Sequence, residues 1–127
     1  MNAAINRAVS VEIDGEPFEM LLTTKATAEL DRELGGMERI GELLDGDDHG
    51  ASIETAAKLI ATLCNGATER YNYRHKDTPR RMLTAEEVEI MTTPAELTEL
   101  VKSAVDAVVL GRKTHIESEQ NPESVKN

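Results

Sequence analysis

The stretch that decides the fold is residues 9–22, VSVEI-DG-EPFEM-LL, in which two apolar segments flank Asp14-Gly15. An Asp-Gly pair accepts positive φ at both central positions of a type I′ turn, the turn whose twist matches paired strands. The pattern therefore predicts a β-hairpin with strands near 8–13 and 17–22. Pro17 lacks an N–H and is expected on an edge. Because an isolated hairpin is marginal in water, other elements must cover one of its faces.

The rest of the chain carries helical patterns. A first helix is predicted from about Thr24 to Leu34, where Gly35-Gly36 ends it with the left-handed geometry that glycine adopts freely. A shorter helix follows over about Met37–Leu44. A third is predicted to open at Ser52 as N-cap and to reach about Tyr71. Its apolar residues recur at helical spacing: Ile53, Ala57, Ile60, Cys64, Ala67 and Tyr71.

Two further helices are predicted towards the C-terminus. Thr84 and Glu87 have the spacing of a capping box, which predicts a short helix after a basic loop at 74–82. Thr93-Pro94 then opens a helix to about Leu110, ended by Gly111. Its predicted apolar face is Leu97, Leu100, Val101, Ala104, Val105 and Val108. Largely buried side chains are expected at Ile60, Leu63, Leu100, Val101 and Val105.

These elements predict an α+β fold: an N-terminal two-stranded β-hairpin packed on four to five α-helices, mostly helical. A length of 127 residues suits one domain, which we place at 8–113. Residues 1–7 are expected to form a flexible leader. Residues 114–127 are polar and without pattern, and a disordered tail is predicted there.

Composition excludes several classes of function. The formal net charge is −10, from 24 acidic and 14 basic residues, which argues against nucleic acid as a partner. No apolar run has the length of a membrane span, and the first residues lack the features of a secretion signal. A cytoplasmic protein is therefore expected. The single cysteine, Cys64, falls on the apolar stripe and is interpreted as a small core side chain.

No metal, cofactor or enzymatic activity is predicted. The loop at 45–50 resembles the start of a calcium loop, but position twelve would be Ala56, which has no oxygen to donate. The histidines, His49, His75 and His115, lack partners at metal-binding spacing. Neither a nucleophile motif nor a glycine-rich phosphate loop is present.

A basic segment at 69–82 interrupts the acidic sequence, and two tyrosines alternate with its cations. One interpretation is a docking surface for a partner protein. The other is a solvated loop with Tyr71 packed in the core. If the segment binds a partner, the residues predicted to do so are Arg70, Tyr73, Arg74, Lys76, Arg80 and Arg81.

The hairpin, the run AELDRELGG at 28–36 and the run IGELLDG at 40–46 resemble the phage tail assembly chaperones, in particular the group with a gene-transfer-agent member. The resemblance extends over roughly 8–110, and the segment 72–93 does not fit the family pattern. It implies a non-catalytic chaperone that binds unassembled tape measure protein, tail tube protein or both in the cytoplasm of the bacterial host, during infection or from a prophage. The alternative is a small acidic regulatory or inhibitor protein, either antitoxin-like or directed at a host protein.

Overall fold

A computed structural model of the chain describes residues 6–114. Over these residues the order of elements is β1 (Val9–Ile13), β2 (Glu16–Met20), α1 (Thr24–Leu34), α2 (Met37–Leu44), α3 (His49–Arg74), α4 (Ala85–Met91) and α5 (Pro94–Arg112). The predicted α+β fold, a hairpin followed by five helices, is confirmed. Residues 1–5 of the expected leader and 115–127 of the expected tail lie outside the described residues.

The hairpin has the predicted turn. Asp14 and Gly15 have φ of 53° and 79°, the two positive values that a type I′ turn requires. The antiparallel register runs from Ile13 opposite Glu16 to Val9 opposite Met20. Ile13 and Met20 are fully buried. The apolar face of the hairpin therefore rests on the helices and does not stand alone.

Helix α3 is the centre of the molecule and packs against the hairpin and all four other helices. Ser52 was predicted as its N-cap, and this was wrong. Asp48 caps the helix by accepting the Ala51 N–H at 3.0 Å, while the Ser52 hydroxyl donates to the Leu44 carbonyl at 3.0 Å. Two residues able to cap stand four apart, and the earlier one adds a full helical turn. The helix also ends at Arg74, three residues later than predicted.

The buried surface of α3 is wider than a single stripe. Its buried residues are Thr55, Ala56, Ala57, Leu59, Ile60, Ala61, Leu63, Cys64, Gly66 and Thr68. Ile53, which the stripe placed inside, is 42% exposed near the start of the helix. A helix surrounded by other elements loses the one-sided pattern of a surface helix, which explains the difference.

Helix α5 buries a face that is rotated from the predicted one. Ile60, Leu63 and Leu100 are buried as expected. Val105 is 49% exposed, so the prediction for Val105 was wrong. Val101 is partly buried and packs against the core, which agrees in part with its prediction. The buried residues of the helix are Leu97, Leu100, Ala104, Ala107 and Val108. At about 100° per residue, Val105 lies roughly a quarter turn from the centre of that stripe.

Two glycines let the chain after β2 pass between the long helices. The Leu21 N–H donates to the Leu63 carbonyl of α3 at 3.0 Å. A Cβ at Gly66 would overlap the Leu21 carbonyl oxygen, and a Cβ at Gly111 would lie 2.7 Å from the Leu22 Cβ. Gly111 was predicted to end α5, but it lies inside the helix and provides this close approach. Both glycines therefore serve packing.

The first described residues are held against the end of α5. The Arg7 guanidinium donates to the carbonyls of Leu110 at 3.2 Å and Lys113 at 2.6 Å. Between residues 6 and 114, no helix combines the length and the apolar character needed to cross a membrane.

Candidate partner-binding surface

Three of the six predicted site residues share one face at the end of α3. Arg70, Tyr73 and Arg74 are spaced i, i+3 and i+4, which places their side chains side by side on a helix. All three are exposed, and the Tyr73 side chain, at 78%, is the most exposed large apolar group among residues 6–114. The Lys76 ammonium lies 5.2 Å from the centre of the Tyr73 ring, within cation–π range. These four residues form the outer face of the surface.

Next to this outer face, the side chains of His75 and Arg80 stack on the Tyr71 ring. The His75 ring lies 3.9 Å from the Tyr71 ring at an interplanar angle of 13°, and the Arg80 guanidinium carbon lies 3.7 Å from the same ring centre. Two groups this close to one ring must occupy its opposite faces, so the order is His75, Tyr71, Arg80. His75 Nδ1 lies 2.9 Å from the Tyr71 carbonyl. A carbonyl only accepts, so we assign the proton to Nδ1.

Arg81 differs from the other cations because it is already paired. Its guanidinium donates to Glu16 of the hairpin at 3.2 Å and to Glu87 of α4 at 2.8 Å. The Thr84 backbone N–H, followed by the charge of Arg81, holds the pKa of Glu87 below its usual range. Arg81 thus connects two elements and offers less free charge to a partner than Arg70 or Arg74, which have no ion pair among the described residues.

Two asparagines of α3 position the segment that carries Arg80 and Arg81. The Asn72 side chain donates to the Arg80 carbonyl at 3.0 Å and accepts the Arg80 N–H at 2.7 Å. Asn65 makes the same pair with Leu83, both at 2.7 Å. Each asparagine side chain thus bonds both the N–H and the carbonyl of one residue, as a neighbouring strand would. Sequence reasoning gave these asparagines no role, although their spacing of seven places them on one helix face.

A groove lies between this segment and the hairpin. It has a volume of about 620 Å³. Its lining includes apolar side chains of β2 and α3, the cations of Arg80 and Arg81, and the carboxylates of Glu16 and Glu19. Apolar side chains therefore meet groups of both charges along a concave strip. The predicted residues Arg80 and Arg81 border this groove, whereas Arg70, Tyr73, Arg74 and Lys76 are not among its lining residues.

The structure also shows how the metal-ligating types of side chain and the cysteine lie within residues 6–114. Among residues 6–114, no three histidine, cysteine, aspartate or glutamate side chains are grouped so as to hold a metal ion. The Cys64 thiol is fully buried, and burial raises its pKa from 9.0 to about 12. A protonated, inaccessible thiol is a poor nucleophile. The chemistry that this surface supports is recognition through charge and aromatic contact.

Comparison with models of protein families, with curated proteins and with solved structures finds no match to this chain.

Proposed function

We propose that the chain is a non-catalytic phage tail assembly chaperone that binds unassembled tape measure protein, tail tube protein or both. The observation that carries the proposal is the order of elements: a hairpin, a helix that Gly35 ends at φ 86°, the short helix α2 and then the long α3. The family that the sequence resembles begins with the same order. The segment 72–93 lies outside that likeness, and it holds much of the candidate surface.

The end of α3 supports the proposal because it suits reversible capture. A chaperone must hold its partner and then release it. Exposed cations attract a partner but are screened by salt, and they add little affinity individually. Tyrosine and arginine are the side chains that most often dominate a binding interface. Tyr73 between Arg70 and Arg74 provides both kinds of contact on one small face.

The experiment measures capture of the tape measure and tube proteins from the same genetic locus by titration calorimetry. Arg70→Glu with Arg74→Glu is expected to weaken capture about tenfold, and the loss should shrink in high salt. The matched control is Arg32→Glu with Lys58→Glu, the same charge change at two exposed positions elsewhere. Equal binding by the two folded variants would reject this surface. Failure of the wild-type chain to bind either tail protein would reject the function.

Arg80→Glu with Arg81→Glu is a second test, expected to weaken capture in a folded protein. It is less direct than the first, because the carboxylate introduced in place of Arg81 would face Glu16 and Glu87. The stability of this variant must therefore be measured alongside its binding. Unchanged capture by the folded double variant would remove these two residues from the site.

A further inference from the structure

The two edges of the hairpin differ in how their backbone groups are used. A type I′ turn pairs the residues on either side of it, so Ile13 and Glu16 exchange hydrogen bonds. Bonded and non-bonded pairs then alternate, which makes Val11–Phe18 and Val9–Met20 bonded pairs. Ser10 and Glu12 of β1 must therefore direct their N–H and C=O groups outward, away from β2.

The outer edge of β2 is occupied or blocked. Its outward positions are Pro17, Glu19 and Leu21. Pro17 has no N–H to offer, and the Leu21 N–H is bonded to the Leu63 carbonyl of α3. By contrast, the outward backbone groups of Ser10 and Glu12 have no hydrogen-bond partner among residues 6–114, and both residues are exposed. The edge of β1 is thus open to another strand.

An acidic groove runs beside this open edge. It has a volume of about 590 Å³ and lies between β1 and the first turns of α5. Its lining includes Glu12, Asp14, Glu96 and Glu99, and no lysine or arginine of the described chain. Glu96 accepts the Thr93 N–H and Glu99 pairs with Lys102. Within the described part of the chain, the carboxylates of Glu12 and Asp14 have no partner.

We propose that the edge of β1 binds an extended segment of a second protein, with lysine or arginine at alternate positions. Main-chain hydrogen bonds to Ser10 and Glu12 would add it as a third strand, and alternate side chains of that strand would place their cations over the acidic groove. The proposal rests on this edge and on the acidic groove beside it, and it is independent of the chaperone function.

Charge excludes the other occupants. A second copy would bring Glu12 and Asp14 against their own equivalents in a chain of net charge −10. The C-terminal sequence 115–127 carries three glutamates against one lysine and is equally unsuitable. The phosphates of a nucleic acid would be repelled by the carboxylates of the groove. A basic extended peptide is the occupant that satisfies both the backbone and the charge.

The test uses three synthetic ten-residue peptides with the intact protein. One alternates lysine with valine, one has glutamate in place of lysine, and one is the lysine peptide N-methylated at consecutive residues so that neither of its edges can pair as a strand. Only the first is expected to bind and to slow hydrogen exchange at the amides of Ser10 and Glu12. Binding of the N-methylated or the glutamate peptide with equal affinity would overturn the proposal, as would unchanged exchange at the two amides.

A charge variant completes the test. Glu12→Gln with Asp14→Asn removes two carboxylates while Asn-Gly preserves the turn. The lysine peptide is expected to bind about tenfold more weakly to this variant. The matched control is Glu33→Gln with Glu38→Gln, which makes the same charge change on α1 and α2. Equal affinity for the two folded variants would overturn the proposal.

Discussion

At the scale of single residues, Gly66 tests the packing of the hairpin on α3. We expect Gly66→Ala to cost roughly 1–3 kcal/mol, because its methyl group would meet the backbone of Leu21 and no side-chain rotation can relieve that overlap. Gly41 is the matched control. It lies inside α2, and a methyl group added there would have no atom within 4 Å, so Gly41→Ala should stabilise by about 0.5–1 kcal/mol. Urea unfolding followed by circular dichroism measures both, and an unchanged Gly66→Ala variant would contradict the close approach.

The buried thiol of Cys64 makes a second prediction at this scale. We expect a thiol reagent at about pH 8 to label the native protein only as fast as it unfolds, because the reactive thiolate is both inaccessible and disfavoured. The same reagent in concentrated urea should react at once. Since the folded pKa is raised from 9.0 to about 12, thiolate formation favours the unfolded state, and stability should decline as pH rises through that window. Rapid labelling without denaturant would show that the helix opens locally.

At the scale of elements, α5 carries two side chains, Leu100 and Val105, that the sequence pattern places on one apolar face but that differ in burial. Leu100→Ala should cost about 2–5 kcal/mol, since it removes buried methyl groups and leaves a cavity. Val105→Ala should cost under about 1 kcal/mol, because half of that side chain already meets solvent. Both changes lie on one helix and both add a good helix former. If the two variants lost equal unfolding free energy, Val105 would be as buried as Leu100, and α5 would bury a different face from the one described.

The two asparagines of α3 predict a graded effect on the segment that they hold. Asn65→Leu leaves the N–H and carbonyl of buried Leu83 without partners and should cost about 1–3 kcal/mol. Asn72→Leu should cost less, since Arg80 is exposed and water can replace the lost bonds. Hydrogen exchange at the Leu83 amide provides the direct measurement. Protection that survives Asn65→Leu would show that something else holds the segment.

Local signals in the sequence predicted most element boundaries correctly. The Asp14-Gly15 turn, the Gly35 helix end and the Thr84 capping box depend on residues within one turn of each other, and all three are confirmed. The N-cap of α3 was missed because Asp48 and Ser52 are both capable caps. The exposure of Val105 was missed because the direction of a helix face is set by its neighbours, which periodicity alone does not identify.

At the scale of the whole molecule, the net charge of −10 should make stability depend on salt. Raising the ionic strength from about 0.01 M to about 0.15 M shortens the screening length from ~30 Å to ~8 Å. Weaker repulsion among the carboxylates should raise Tm, and the exposed pairs of Lys25 with Glu29 and Glu69 oppose this only slightly. Thermal unfolding by circular dichroism measures the change. A fall in Tm with salt would mean that attractive pairs dominate.

The candidate surface was predicted in part. Composition located the basic segment, and the exposure of Arg70, Tyr73 and Arg74 is visible in the structure. The stacking of Tyr71 with His75 and Arg80, and the pairing of Arg81 with Glu16, join residues that are not neighbours in the chain. No spacing rule predicts such contacts. The open edge of β1 was missed for the same reason, because it depends on which strand faces α3.

The two asparagine contacts that hold residues 80–83 against α3 require that the spacing of the asparagines match the spacing of their backbone partners. Seven residues of helix from Asn65 to Asn72 advance about 10.5 Å, and the three residue steps from Arg80 to Leu83 must cover a similar distance, because both residues bond to these asparagines. The two segments therefore have matching lengths and run in opposite directions, so that each asparagine meets one residue of the other segment. Adding one residue between Arg80 and Leu83 would bring the wrong peptide group to one asparagine, whereas an insertion in the turn at 76–79 would leave both in step. We therefore expect an insertion before Arg80 to preserve both asparagine contacts and an insertion between Arg80 and Leu83 to break one of them.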